Sequence, residues 1–549
     1  MKMVKRLFLY LLMFLTLGLG LGVYGAGALE PPEELVVAFL PTQINLNPLN
    51  AFSSTEAQVY TALYEGLVTY DPVTLDPVPG AAQTWEVSPD GKTYTFRIRE
   101  NARFSNGVPV TAMDFRNTWL KFLHPDSRAE YSFLYDIIEG AKAYRTGENP
   151  NPQSVGIRVL SEKRLQVTLD HPSSHFLKIL CHHSFVAFHP SLLEIGNWNA
   201  LSEVFGNGPY RIRERRPSEW VLEKNPFYWD VSSVSISSLR FLFIQDPLSV
   251  TRRFNDYEIH WISEGMYLDQ VLYKDTIIVS PMFATYYFFF ASHTYPWKDP
   301  RVRRALALLI PWDKVRSRDF QLLPAKTLVP PFPRYPQPET IEKANKELAF
   351  TLLEEAGFPE GKGLPPIVFR LPESEESRAV ASFFASAWKE ALGLEAQIFS
   401  HPYPEYLSRL KDKDYTLGTV TWIGDFADPL TFLQMWTTYS NLNDARYSNE
   451  EFDLLISRSF QQTGEERYKT LSAAESLLLR DAVVLPIGHP PSINVIDLQF
   501  VAGWYANPLN IHPFKYLKFT PFKPLPGVIQ RKDPHPYFYA GISPAPTTR

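Results

Sequence analysis

Between Trp85 and Leu169 the apolar residues of this chain alternate, whereas after Pro300 they fall into helical blocks separated by short apolar runs. A pattern of period two cannot settle as a helix, nor one of period 3.6 as a strand, so the chain must build at least two differently organised regions. Tyr94, Phe96 and Ile98 alternate with Thr95, Arg97 and Arg99. They follow Trp85-Glu86-Val87 and the turn sequence Ser88-Pro89-Asp90-Gly91-Lys92, which predicts a hairpin with one apolar face. Val155–Leu160 and Arg164–Leu169 predict a second strand pair. Single strands are expected at Leu35–Leu40, Tyr210–Arg213, Glu219–Glu223 and Leu239–Ile244. Residues 56–67 read as a helix stopped by Gly66. Thr111-x-x-Asp114 is a capping box that opens another, with Phe115, Trp119 and Phe122 on its inner face. In the second half, helical patterns at 300–310, 339–356, 375–392, 450–460 and 465–480 enclose the short strands Leu394–Phe399, Tyr415–Val420 and Val483–Ile487. In the block 375–392, Val380, Phe383, Phe384, Ala387 and Trp388 share a face, and Gly393 supplies the C-cap. A β-rich region followed by an α/β region is therefore expected, the latter jointed by the stiff, extended loop Pro330–Pro338.

At 549 residues the chain exceeds what one core can hold. Its 47 prolines favour irregular connections over long helices, and its 14% aromatic content serves well-filled cores or an aromatic-lined cleft. A net charge of −5 gives no footprint for nucleic acid. The single cysteine, Cys181, leaves no intrachain disulfide and no Cys-rich metal site.

The N-terminus reads as a cleavable secretory leader over residues 1–28. Lys2, Lys5 and Arg6 precede the apolar run Leu7–Leu17, and Ala26-Gly27-Ala28 offers an A-x-A cleavage pattern. No cysteine stands beside that site to carry a lipid, so the expected location is periplasmic. Motifs for enzyme chemistry are missing: there is no G-x-S-x-G, no H-E-x-x-H, no Walker A loop and no EF-hand spacing. Cys181-His182-His183 is the nearest approach to a metal cluster. Read as a strand, it would point its histidines to opposite faces, so no metal or other cofactor is expected.

Several stretches resemble the oligopeptide/dipeptide-binding class of ABC-transporter solute-binding proteins, family five. They are Tyr64-Glu65-Gly66-Leu67, Asp76-Pro77-Val78-Pro79-Gly80-Ala81-Ala82 with Trp85, and Asp90-Gly91-Lys92-Thr93-Tyr94-Thr95-Phe96-Arg97-Ile98-Arg99. Phe104-Ser105-Asn106-Gly107-Val108-Pro109-Val110-Thr111, Asn207-Gly208-Pro209-Tyr210, Asn225-Pro226-x-Tyr228-Trp229 and Asp299-Pro300-Arg301-Val302-Arg303 follow in the same order as in that family. The resemblance implies an α/β, bilobal periplasmic-binding-protein-like fold with an additional inserted lobe, closing by a hinge. Lobe I would comprise residues 29–68, 190–282 and 496–520, lobe II 69–189 and lobe III 283–495, with a Pro-rich tail over 521–549. It implies a non-catalytic receptor, monomeric, that hands short peptides to the membrane subunits of an ABC importer. The alternatives are a receptor of the same fold for a metal chelate, haem or an oligosaccharide, or a secreted hydrolase.

In that family the Asp of a Trp-x-x-Asp motif holds the ligand's amine. Here Trp422-Ile423-Gly424-Asp425 matches it, which nominates Asp425 as anchor, with Trp422 and Ile423 beside the ligand. A buried ammonium needs such a partner. The competing roles are a helix cap for Asp425, which Asp428 suits better, and a plain core position for Trp422. Tyr131, Tyr403 and Glu56 are further contacts that the resemblance implies. The ligand's carboxylate end is open: the position that can carry arginine is Thr419, and where relatives carry tyrosines stands Gly488-His489-Pro490. This leaves His489, Arg409 and Arg378 as candidates.

Overall fold

In a computed structural model, residues 32–51, 53–127, 129–173, 175–316, 322–412 and 414–521 are described. The expected leader, and the tail beyond Pro521, lie outside them. Two large sheets organise the molecule. The first has seven strands in the order Ile277–Pro281, Pro491–Ile496, Trp261–Ile262, Glu34–Phe39, Ser238–Phe243, Glu219–Lys224 and Tyr210–Arg216. Its centre is parallel, because Glu34–Phe39 runs with both Ser238–Phe243 and Trp261–Ile262. A strand buried on both faces reads as an unbroken apolar run, as Leu35-Val36-Val37-Ala38-Phe39 does. Leu35, Val37 and Phe39 enter the large core shared with the neighbouring lobes, and Val36 and Ala38 enter a smaller one on the other face.

The second sheet has six strands in the order Leu323–Pro324, Val484–His489, Ala284–Phe290, Leu417–Ile423, Ile367–Pro372 and Ala396–His401. All seven residues of Ala284–Phe290 are buried. Tyr287 and Phe289 face the large core, while Tyr286, Phe288 and Phe290 pack with Phe369, Phe384 and Trp388 in a second core. The helix Glu375–Leu392 covers this second core through Val380, Ala381, Phe384 and Trp388, and Gly393 closes it at φ 65°. Phe383 lies off that face at 37% exposure, a correction to the expected stripe: at about 100° per residue it points more than roughly 100° away from the middle of the face made by Val380, Ala381, Phe384 and Trp388. A second correction concerns 339–356, where the helix begins only at Lys346. Asn345 caps it by accepting from the Leu348 N–H, and ahead of it the Glu339 N–H donates to Ser476 Oγ and the Thr340 hydroxyl to the Lys326 carbonyl. Such side-chain bonds compete with the helical ladder.

Between these sheets' territories, the inserted lobe is built on an antiparallel sheet of Ala82–Val87, Thr93–Ile98, Arg164–Thr168 and Ile157–Ser161. The helix Ala112–Leu123 opens on the expected capping box and buries Phe115, Trp119 and Phe122 completely.

The two large sheets are joined twice. Ile277–Pro281 passes through Met282-Phe283 into Ala284–Phe290, and Val484–His489 passes through Pro490 into Pro491–Ile496. The partners pair on both sides of the crossing, so a two-stranded ribbon threads both lobes. The chain thus returns to the first sheet at Pro491. Few residues cross there, which is what a hinge requires.

Candidate functional site

A cavity of about 440 Å³ lies where the three lobes meet. The strand Leu417–Ile423 ends at its wall, and Asp425 follows two residues later. Gly424 between them has no room for a side chain: a Cβ there would stand 2.7 Å from the Phe283 ring and 3.0 Å from Thr431 Cγ2. The loop is held by Thr431, whose hydroxyl accepts from the Asp425 N–H at 2.8 Å and donates to Asp425 Oδ2 at 3.2 Å. Its carbonyl accepts from Trp422 Nε1 at 3.1 Å. Asp428 rather than Asp425 serves the following turn, accepting from the Leu430 N–H at 3.0 Å while Arg467 grips both its oxygens at 2.7 and 2.8 Å.

Asp425 is left with a charge and no cation to match it. Among the described residues no lysine or arginine pairs with it, and its side chain is 9% exposed. Burial pushes its pKa up to about 7, against hydrogen bonds from Thr431 and Tyr131 that lower it. The nearest basic group is His182, with Nε2 3.7 Å from Asp425 Oδ1. Its Nδ1 accepts from the Ser184 N–H, which leaves the proton of the neutral ring on Nε2. Burial, with His183 beside it, drives the His182 pKa well below the ordinary range, so the ring stays neutral. Tyr131 and His183 complete an aromatic wall, with ring centroids of Tyr131 and His182 4.4 Å apart and those of His182 and His183 3.9 Å apart.

A second carboxylate on the wall, Glu65, is fully satisfied. It accepts from Tyr228 Oη at 2.5 Å, Trp229 Nε1 at 2.6 Å and Lys515 Nζ at 3.0 Å, and Asn207 brackets its backbone on both sides. Three of the sequence stretches singled out above therefore meet at one buried ion pair. A third carboxylate on the lining, Glu264, follows the Trp261–Ile262 strand. It takes one long hydrogen bond, 3.5 Å from Thr55 Oγ1.

Asp425, Trp422, Ile423, Tyr131 and Tyr403 all line the cavity. Glu56 and His489 do not. The Glu56 carboxylate accepts from the Ser53 N–H at 3.0 Å, the Ser53 hydroxyl at 2.8 Å and the Asn45 N–H at 2.9 Å, closing the capping box of the helix Ser54–Leu63. His489 lies inside the second sheet with Nδ1 3.1 Å from the Ala284 carbonyl oxygen and 3.0 Å from Thr285 Oγ1, and burial holds it neutral with a pKa of about 4. Arg409 pairs with Glu405 and Asp412, and Arg378 donates to Ser400. Neither lines the cavity. Cys181-His182-His183 is not a strand. It spans the turn between the Phe176–Ile179 helical turn and the 3-10 turn His183–Phe185, so the two rings lie against each other at a tilt of 39° instead of diverging. No group of three or more His, Cys, Asp or Glu among the described residues is arranged to hold a metal ion. Lys515, Glu264, His182, His183 and Tyr70 line the cavity without a local sequence signal that would have nominated them.

The family model described as bacterial extracellular solute-binding proteins, family 5, matches residues 76–444. The periplasmic oligopeptide-binding protein OppA of Salmonella typhimurium is 31% identical over 484 residues, 84% of this chain and 87% of that protein. The structure of Haemophilus influenzae OppA in complex with RPPGFSPFR superposes with a TM-score of 0.79 at 25% identity, over 89% of this chain and 99% of that one. The Escherichia coli murein tripeptide binding protein MppA gives 0.80 at 26% identity, over 88% and 98%. Its unliganded open form gives only 0.60, at the same identity and over 89% of this chain and 97% of that one. Nearly equal coverage with unequal scores means that the lobes here are arranged differently than in that open form.

Proposed function

The chain belongs to the bacterial extracellular solute-binding proteins, family 5, and from that premise we propose that it binds short peptides in the interlobe cavity through their termini and backbone, as the receptor of an ABC importer. The OppA relatives support this, one by its name and one by the peptide in its structure. The observation that carries the reading is Asp425, a carboxylate in an enclosed wall with every nearby hydrogen bond neutral and no cation. Leaving such a charge unpaired is costly, and a guest's α-ammonium is the partner that completes it. Trp422, Ile423, Tyr131 and Tyr403 would pack around the first residues of that guest. Sugars bring no such cation, and the wall offers no metal cluster for a chelate.

The function needs no catalysis, only closure around the guest and release to the importer's membrane subunits. The expected leader supports a periplasmic location. A monomer suits the role, because the cavity is complete within one chain.

Thermal unfolding with a panel of tripeptides tests the assignment. A ligand at a hundredfold its Kd adds about 2.7 kcal/mol of stability. Asp425→Asn should lose that shift for every peptide, and N-acetylated peptides should give none with the unaltered protein. Equal shifts from free and acetylated peptides would remove Asp425 from the role of amine anchor.

A further inference from the structure

The cavity wall holds more negative charge than one amine needs. Of its three carboxylates, Glu65 is neutralised by Lys515, the one lysine or arginine among the described lining residues. The two lining histidines are kept neutral by burial. Asp425 and Glu264 remain. They stand on different lobes: Asp425 follows a strand of the six-stranded sheet, and Glu264 follows a strand of the seven-stranded one. Glu264 has a single hydrogen bond, at the long limit for one, and burial raises its pKa. Tyr403, on the helix Tyr403–Arg409, also lines the cavity, and the Glu264 charge raises its phenol's pKa further after burial has done so. A carboxylate with one long hydrogen bond, on a cavity wall that also carries aromatic rings, suits an organic cation: the ion pairs with the oxygens and ring faces attract the same charge. It does not suit calcium or magnesium, which take six or more oxygens.

We propose that Glu264 is a second cation subsite, separate from the amine anchor, which makes the receptor select peptides that carry a lysine or arginine side chain. The inference rests on the peptide-binding reading of the cavity and adds to it a side-chain preference. Neutral peptides engage only the Asp425 charge. Peptides with an acidic side chain meet a wall with no free cation to receive it.

Calorimetric titration with three tripeptides of alanine that carry one lysine at the first, second or third position tests this. Each is paired with the peptide in which norleucine, equal in length and uncharged, replaces the lysine. The expected result is that at least one lysine peptide binds about tenfold more tightly than its norleucine partner. Glu264→Gln should erase that gap while leaving the Kd of the norleucine peptides within about twofold, and its melting temperature should not fall, since the carboxylate supports little of the fold. The proposal is overturned if no lysine peptide is favoured, if the preference survives Glu264→Gln, or if the variant weakens both members of a pair alike. Norleucine peptides that bind and require Asp425 keep the peptide reading standing in all three cases. If no tripeptide binds at all, that reading falls and takes this one with it.

Discussion

A carboxyl group whose pKa sits near 7 in the folded chain and near 4 when unfolded binds more protons folded than unfolded between those values. Asp425 therefore lowers the stability of the ligand-free protein as pH rises from about 4 to about 7. A guest ammonium reverses the preference, because it favours the ionised form. Peptide binding below pH 7 should expel a proton: roughly three quarters of one per neutral tripeptide at about pH 6.5. Titration calorimetry in buffers of different ionisation enthalpy reads this number directly. Affinity should rise from about pH 5.5 to a maximum near about pH 7.5 and fall above it, as the free peptide's own α-amine, with a pKa of about 8, loses its proton. A flat profile with no proton release would mean that the amine is held elsewhere. This residue was nominated in the sequence by its match to the Trp-x-x-Asp motif of the family it resembles, and the structure places it on the cavity wall. Glu264 and Lys515 were not legible. What makes one uncompensated and the other neutral is contributed by chain more than 100 residues away, from Thr55 in the first case and Glu65 in the second. Glu56 was nominated by its spacing from Glu65, where relatives place an acidic contact; its carboxylate accepts from Ser53 and Asn45, and the pattern Ser53-x-x-Glu56 spells a capping box.

Among elements, the short helix Leu430–Leu433 positions the Asp425 loop, and it is fixed from below by Asp428 and Arg467. Burial alone would raise the Asp428 carboxyl, but the Arg467 guanidinium outweighs it and holds it below the ordinary carboxylate range. The charge on Asp428 therefore contributes stability that is lost as pH falls through that lowered value. Asp428→Asn keeps the shape and the cap but strands a buried guanidinium, so it should cost about 3 kcal/mol of unfolding free energy. Denaturant melts would show the loss, with peptide selectivity unchanged. A small loss would mean that Arg467 finds water or another acceptor when its partner is gone. The elements themselves were largely readable, because strand alternation and capping signals are local. Where reading failed, tertiary contacts decided the matter. The segment before Lys346 looks helical by periodicity but is held extended by bonds to Ser476 and Lys326. The Cys181 segment looks like a strand but lies in a turn under the aromatic wall.

At the scale of the whole molecule, the inserted lobe and the lobe bearing Asp425 are latched by hydrogen bonds that exist only while the lobes are together. Tyr70 Oη donates to the Asp425 carbonyl at 2.8 Å, Gln434 Nε2 to the Phe133 carbonyl at 3.1 Å, and Arg145 to the Tyr439 carbonyl at 3.0 Å. Asn441 Nδ2 donates to the Ala129 carbonyl at 2.8 Å and to Ser132 Oγ at 3.1 Å. Each bond is worth about 1 kcal/mol net, so the latch as a whole is comparable to the cost of holding a hinge shut. A ligand that binds only the shut form draws on that latch, and weakening it should weaken every ligand equally. Asn441 lies outside the cavity lining, which separates closure from contact. Asn441→Ala should therefore raise the Kd of all peptides about tenfold, with no change in the lysine preference, if the empty receptor rests mainly open. Small-angle scattering supplies the control: the radius of gyration should fall when peptide is added to the unaltered protein, and the variant should need more peptide to reach the same compact value. An unchanged Kd in Asn441→Ala, together with a radius of gyration that does not respond to peptide, would mean that the empty protein is already shut and that peptides enter without hinge motion.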